Sequence, residues 1–343
     1  VAIGGMIEII QTLVDKGHAY PGKDGVLFDV PSMADYGKLS GRNRDDMIAG
    51  ARVEVNEEKR QGTDFALWKF SKPTEKRDME WESPWGVGFP GWHLECSAMA
   101  VKYLGQPFDI HCGGIDHIPV HHENEIAQSE AAFDKPLASY WLHNEFITVD
   151  GQKMSKSLGN GYTLADIRER GLDPISYRYF CLGAHYRSKM NFTWEALKAA
   201  ETALRKIQRW MYAQRTNGII LERGEVLTPV YERCLESLSN DLNTAQVLAE
   251  VHGLLGMATD GDARAEDVYA TIQEVDRVLG LNLATWEEEV IEIPEAMRAL
   301  QAAREEARLQ KNWAESDRLR DELRAHGWII EDQAGGVSIL KKV

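Results

Sequence analysis

Two stretches of this sequence concentrate side chains that can do chemistry. The first, HCGGIDHIPVHHENE at 111–125, holds four of the chain's ten histidines (His111, His117, His121 and His122), together with a cysteine, an aspartate and two glutamates. A buried imidazole or carboxylate without a partner is costly, so each must be paired, solvated or holding something. If VHHENEIAQSEAAF forms a helix, His121 and Glu125 at i and i+4 share one face. An imidazole and a carboxylate there can grip a cation, while His122 and Glu123 point elsewhere. Cys96, in GWHLECSAM, adds a thiolate on the preceding helix. Sulfur, nitrogen and oxygen donors together suit Zn²⁺, which usually takes four ligands. The spacing alone is also that of an ordinary helix with capping and solvated polar groups. Three donors leave a fourth place for water or for a residue beyond these.

The second stretch is VDGQKMSKSLGN at 149–160. Lys153 and Lys156, with Ser155, Ser157 and Gly159, sit on a polar loop after strand-like EFIT. Two ammonium groups so placed can neutralise a polyphosphate, and they are catalytic if they engage best as charge builds in the transition state. A mobile loop that closes over substrate is a common device. Two nearby lysines are more often a solvated turn; what lifts this pair is the literal string KMSKS, a motif that needs its context.

The elements that would position these groups are partly legible. VAIGGMIEIIQTLVDKG places Met6, Ile9, Ile10, Leu13 and Val14 at helical spacing and stops at Gly17. GVLFDV at 25–30 and ARVEV at 51–55 carry strand signals. Residues 92–150 alternate helix (WHLECSAMAVKYLG), strand (FDIHCGG), helix (VHHENEIAQSEAAF) and strand (EFITVDG). That order predicts a parallel sheet with crossover helices, whose post-strand loops build the ligand site. From about 164 the chain is helical, with segments near 164–170, 174–182, 194–214, 227–239, 243–258 and 265–279. Beyond an EIPE break at 292–295 come two amphipathic helices, the second stopped by Gly327, and a hairpin turning at AGG.

The chain has 343 residues, 43% hydrophobic and 27% charged, which suits a protein of two or three domains with ample core. No run approaches the ~18–20 apolar residues of a membrane helix, and no membrane association is expected. Four cysteines lie far apart without a CxxC pair, which fits a reducing cytoplasm better than a disulfide framework. The net charge of −15 argues against nucleic acid for the chain as a whole, although a local basic face can sit on an acidic protein. The first residue is Val and the chain opens inside a helix pattern, so an earlier segment is expected.

With these features together, the sequence resembles the class I aminoacyl-tRNA synthetases, of which KMSKSLGN is the second signature. GWHLECSAM, HHENEIAQSEA, GVLFDVPSMADYGKLSGR, GARVEV, DFALWKFSK, AHYRSKMNFT and NDLNTAQVLAEV resemble the cysteinyl-tRNA synthetases in particular, over nearly the whole chain. The resemblance implies a partial α/β Rossmann-like catalytic domain, then an all-α helical bundle, then a small α+β anticodon-binding domain. The expected divisions are 1–150 for the catalytic domain with its connective insertion, 151–195 for the KMSKS loop and stem-contact region, 196–291 for the bundle and 292–343 for the anticodon domain.

It implies one catalytic zinc per chain, which binds the substrate thiol, with Cys96, His121 and Glu125 as three ligands. A fourth, a cysteine, and the first ATP signature belong to a segment this chain does not include, so the 343 residues alone are expected to activate cysteine poorly. Trp92 and His111 match the amino-acid pocket, Asp116 the group near the adenosine ribose, and Lys156 the ATP-contacting lysine, with Lys153 beside it. Mg²⁺ accompanies ATP. Arg308, Trp313, Asp317 and Asp332 match anticodon-reading positions, where aromatic or guanidinium faces stack splayed bases and carboxylates accept from their edges. The partners implied are ATP, L-cysteine and cysteine tRNA, for a cytoplasmic monomer. Competing readings are a non-catalytic RNA-binding paralogue, a cysteine ligase of mycothiol synthesis (against which the 294–343 tail speaks) and a zinc hydrolase. One departure is Cys112, where the family commonly has glycine; as a small hydrophobe it is expected to fill an apolar gap rather than ligate zinc.

Overall fold

The computed structural model describes residues 3–41, 59–72, 74, 77–216, 224–288, 293–332 and 338–342. The strand expected at 51–55 and the AGG turn lie outside them. By its contacts the chain divides into two units, Val1–Ile207 with Arg223–Leu281, and Gln208–Glu222 with Asn282–Val343.

The first unit begins with helix α1 (Ile3–Asp15), which buries Met6, Ile9, Ile10 and Leu13 along one stripe. Each such side chain contributes roughly 1.5–3 kcal/mol when fully buried. Gly17 follows at φ 79°, where a β-carbon would be strained. Strands β1 (Ala19–Pro21), β2 (Gly25–Phe28), β3 (Phe65–Phe70) and β4 (Gly88–Pro90) form an antiparallel sheet in sequence order. Its buried Phe28, Leu67 and Trp68 pack with α1 and with Leu94 and Ala98 of helix α2 (Trp92–Leu104).

Strand β5 (Phe108–Gly114) runs into a 3₁₀ turn (Ile115–His117), then a π-helical turn (Ile118–His122) that continues as helix α3 (Glu123–Phe133). Strand β6 (Ala138–Asn144) then pairs in parallel with β5, placing His111 opposite Trp141 and Gly113 opposite His143. The crossover is therefore present as expected, but its second strand is ASYWLHN and not EFITVDG. The β-branched residues of EFITV made the louder local signal, whereas ASYWLHN mixes polar and aromatic side chains and is a strand because β5 offers it a ladder. Residues Ile147–Val149 are strand β7. It pairs antiparallel with β8 (Gln152–Lys153) and parallel with β9 (Met190–Phe192), a strand not anticipated within AHYRSKMNFT.

Helices α4 (Leu164–Glu169), α5 (Pro174–Leu182), α6 (Trp194–Thr216), α7 (Thr228–Ser239), α8 (Thr244–Asp260) and α9 (Ala265–Leu279) follow where the periodicity put them. Thr163 and Asp166 close a reciprocal capping box on α4. In the second unit, α10 (Glu295–Leu309), α11 (Trp313–Ala325) and the hairpin of β10 (Trp328–Asp332) and β11 (Ser338–Lys342) share a core of Met297, Leu323, Trp328, Ile330 and Leu340. Among the described residues no helix is long and apolar enough to cross a membrane.

Candidate functional site

The side chains singled out in 111–125 meet where α2, the end of β5 and the start of α3 come together. Cys96, His121 and Glu125 have donor atoms all within 4.8 Å of one another. Gln128, one turn beyond Glu125, donates to the backbone carbonyl of His93 (2.8 Å) and to Ser97 Oγ (2.6 Å), and so ties α3 to α2 beside Cys96. His121 Nε2 lies 2.8 Å from Glu125 Oε1, the expected i,i+4 pairing.

Glu125 is fully buried and shared between two groups. Its other oxygen, Oε2, lies 3.0 Å from His111 Nε2, and His111, His122 and Glu125 make a second converging set. The approaches are short and electrostatic, but their angles are poor for hydrogen bonds, and both Glu125 oxygens and His111 Nε2 are buried without a well-aligned hydrogen-bond partner among the described residues. Donor atoms of these types brought within 4.8 Å of one another are what a cation site requires, and a sulfur, an imidazole and a carboxylate fit zinc.

Electrostatics follow from this crowding. Burial alone would raise the Glu125 carboxyl; His111 and His121 beside it hold it down at about 2. Burial would lower His121, but Cys96 and Glu125 push it up to about 9. Burial brings His122 down to about 3, with His111, His143 and His117 adding to the effect. His122 Nδ1 is 2.8 Å from His143 Nε2, so His122, expected to point away from the cation, is half of a buried imidazole pair and also joins the second converging set. The signal for His143 was available in the strand run ASYWLHN, which was not read as one. Gly113 makes this possible: a β-carbon there would sit 2.5 Å from His122 Cε1 and 2.8 Å from His117 Nδ1.

Trp92, at the first turn of α2, is 62% exposed and lies against His121 (4.5 Å between rings) and His117 (5.7 Å, perpendicular). His111 packs edge-on against Trp141. Asp116 is exposed in the 3₁₀ turn after β5. Cys112 is exposed on β5 and lies in neither converging set, so it is not the filler of an apolar gap that the sequence suggested. The residue lies on β5's open face, where burial is decided by neighbours and not by the residue's own hydrophobicity.

The lysine loop grows from the β7–β8 hairpin, whose turn is Asp150–Gly151 with both residues left-handed (φ 49° and 75°). That is the Asp-Gly chemistry of a tight hairpin. Asn191 on β9 secures this turn, accepting from Gly151 N–H (2.7 Å) and Thr148 Oγ1 (3.0 Å). Beyond β8, Ser155 caps a 3₁₀ turn (Lys156–Leu158) and Asn160 bridges Ser155 N–H and the Lys153 carbonyl. Lys153 and Lys156 are both exposed, and among the described residues neither has an ion pair.

In the second unit, Trp313 is 60% exposed at the start of α11, with Asn312 capping the helix. Asp317 is exposed and pairs with Arg320 at 3.0 Å. Asp332 is not free: Arg304, itself buried, grips both of its oxygens (2.8 and 3.1 Å), and Arg308 takes Oδ2 as well. The carboxylate therefore holds the Arg308 guanidinium in place. Hydrogen bonds from Arg304, and then Arg308, hold the Asp332 carboxyl down at about 2. A depressed carboxyl stabilises above its unfolded pKa near 3.9 and loses that contribution as pH falls through the folded value. With the side chain 42% exposed, screening reduces the effect to about 1 kcal/mol. The thermal midpoint of unit two is expected to fall between pH 4 and pH 2, more steeply in the wild type than in Asp332→Asn, as followed by circular dichroism.

Residues 1–202 match the family described as tRNA synthetases class I (C) catalytic domain, and residues 291–339 match the cysteinyl-tRNA ligase anticodon binding domain. Cysteine–tRNA ligase 1 of Burkholderia lata is 47% identical over 335 residues, covering 97% of this chain and 69% of that protein. The cysteine–tRNA ligase of Treponema denticola is 38% identical over 360 residues, covering 97% and 73%. A solved structure of Mycobacterium tuberculosis methionyl-tRNA synthetase in complex with methionyl-adenylate aligns with a TM-score of 0.55 at 15% identity, over 82% of this chain and 72% of that one. At that identity the likeness concerns the fold alone.

Proposed function

Since this chain belongs to the cysteine–tRNA ligase family of the class I tRNA synthetases, we propose that it serves ATP-dependent activation of L-cysteine and transfer of the cysteinyl group to cysteine tRNA. The observation that carries this reading is the convergence of Cys96, His121 and Glu125 around buried carboxylate oxygens that lack well-aligned hydrogen-bond partners. These residues would hold one zinc ion, which when bound supplies a soft Lewis acid that favours a thiolate over a hydroxyl. That preference matters because serine differs from cysteine by one atom, and a pocket separates such near-isosteres by only ~10²-fold.

In the first step the cysteine carboxylate attacks the α-phosphate of ATP, giving cysteinyl-adenylate and pyrophosphate; in the second, a hydroxyl of the tRNA's terminal ribose attacks the acyl carbon, the acyl–phosphate bond breaks and AMP leaves. Trp92 and His111 line the amino-acid side of the site and Asp116 faces the ribose. Lys153 and Lys156, on a loop whose base is fixed, neutralise the polyphosphate that Mg²⁺ accompanies. Such catalysis rests on positioning and charge stabilisation and needs no protein nucleophile. Trp313 and Arg308 offer stacking and base-edge contacts to the anticodon, Asp317 accepts from a base, and Asp332 orients Arg308. The divisions 1–150, 151–195, 196–291 and 292–343 assign these steps to catalytic, loop, bundle and anticodon parts of a cytoplasmic monomer.

Cysteine-dependent exchange of pyrophosphate into ATP, measured on the gene product that contains this chain with serine as control, tests the reading. Exchange is expected with cysteine and, with serine, at a rate well below the ~1% that pocket shape alone would allow. Exchange without an amino acid, or equal exchange with serine, would reject it.

A further inference from the structure

Of the two glutamates in HHENE, Glu125 sits in the metal corner and Glu123 does not, yet Glu123 is only 1% exposed. Its carboxylate turns to the segment 36–40. Oε2 accepts from the Gly37 N–H at 3.1 Å and Oε1 from the Ser40 N–H at 2.5 Å. The next residue, Asn124, accepts from the Tyr36 hydroxyl at 2.6 Å, and Glu130 on the same helix pairs with Lys38 at 2.5 Å. A buried carboxylate is costly unless its oxygens are satisfied, and acceptance by an ionised group is roughly twice as strong as between neutral partners.

Helix α3 is thus held on two sides. His121, Glu125 and Gln128 face α2 and β5, while Glu123, Asn124 and Glu130 face the 36–40 segment. The ligand-bearing turn needs such support, because it opens as a π turn (Ile118–His122), whose hydrogen-bond ladder is not the regular one of the α-helix. Ligand geometry must be kept to about half an ångström, and a loose supporting shell is a common way for a site to fail.

We propose that Glu123 is a positioning residue for the metal centre: by clamping the Gly37 and Ser40 amides it fixes the rotation of α3 and so the aim of His121 and Glu125. The inference rests on the reading of Cys96, His121 and Glu125 as ligands. Zinc affinity of the purified gene product that contains this chain is measured by competition with a chromophoric chelator, and Co²⁺ absorption reports the ligand field, for wild type, Glu123→Ala, Glu123→Gln, Tyr36→Phe and Cys96→Ala. Glu123→Ala is expected to weaken zinc roughly tenfold or more, Glu123→Gln and Tyr36→Phe by smaller factors, with shifted Co²⁺ bands in Glu123→Gln. A clamp that served only folding would lower the melting temperature and leave affinity and bands alone. Should Glu123→Ala fail to fold, Glu123→Gln and Tyr36→Phe decide. Wild-type affinity and spectra in both, with zinc lost in Cys96→Ala, overturn this inference and leave the ligand reading standing; a wild-type gene product that binds no zinc removes the ligand reading and this one with it.

Discussion

Cys96→Ala is expected to strip the zinc from this protein and with it the preference for cysteine over serine. The magnitude follows from sharing. Structural zinc sites are worth roughly 10–16 kcal/mol over four donors, or about 3 kcal/mol each, so losing the thiolate should weaken binding by ~10²-fold or more. The remaining donors cannot compensate, because Glu125 is buried between His121 and His111 and has no room to re-aim. Selectivity in pyrophosphate exchange should then collapse toward what shape alone provides, ~10²-fold or less. Cys112→Ala is the matched control: an exposed thiol outside the converging groups should leave zinc content and stability as they were. Metal content by atomic absorption checks both. Retained zinc in Cys96→Ala, or lost zinc in Cys112→Ala, would reverse the assignment of the two cysteines.

Lys156→Ala is expected to lower the rate of cysteine-dependent pyrophosphate exchange by about 10²–10³-fold, the usual cost of removing one group that stabilises developing charge. The cysteine KM should move little, since the lysine acts on the polyphosphate. Because Lys156 is exposed on a 3₁₀ turn, the melting temperature should stay within the small range typical of surface substitutions. Lys156→Arg should recover part of the rate, limited by the different shape and reach of the guanidinium. A variant that exchanges at the wild-type rate would return the loop to the status of a solvated turn.

How much of the site could be read in advance depended on sequence separation. The pairing of His121 with Glu125 was legible because it is set by one turn of helix. Cys96 was a candidate by its chemistry on the preceding helix, but nothing local says that α2 and α3 pack side by side, and its role as a ligand came from the resemblance. The second partner of Glu125, His111, was assigned to the amino acid, and its 3.0 Å approach to Glu125 Oε2 depends on where β5 ends relative to α3. Glu123 was expected to point elsewhere, and only the fold shows where: onto two amides more than eighty residues earlier.

By itself the sequence determined the helices, because their burial repeats every three to four residues and their stops are written in Gly17, Gly105 and Gly327. The lysine loop was marked by its motif, and the Asp-Gly turn at its base, which the sequence reading ran through as strand, is local backbone chemistry. Tertiary structure decided which strand lies beside β5, that His122 pairs with His143, that Cys112 faces outward, and that Asp332 holds an arginine. Each of those outcomes joins elements distant in sequence. Strand register and the sharing of a buried carboxylate are settled by the collective cost of leaving polar groups unpaired, a cost that no single segment carries.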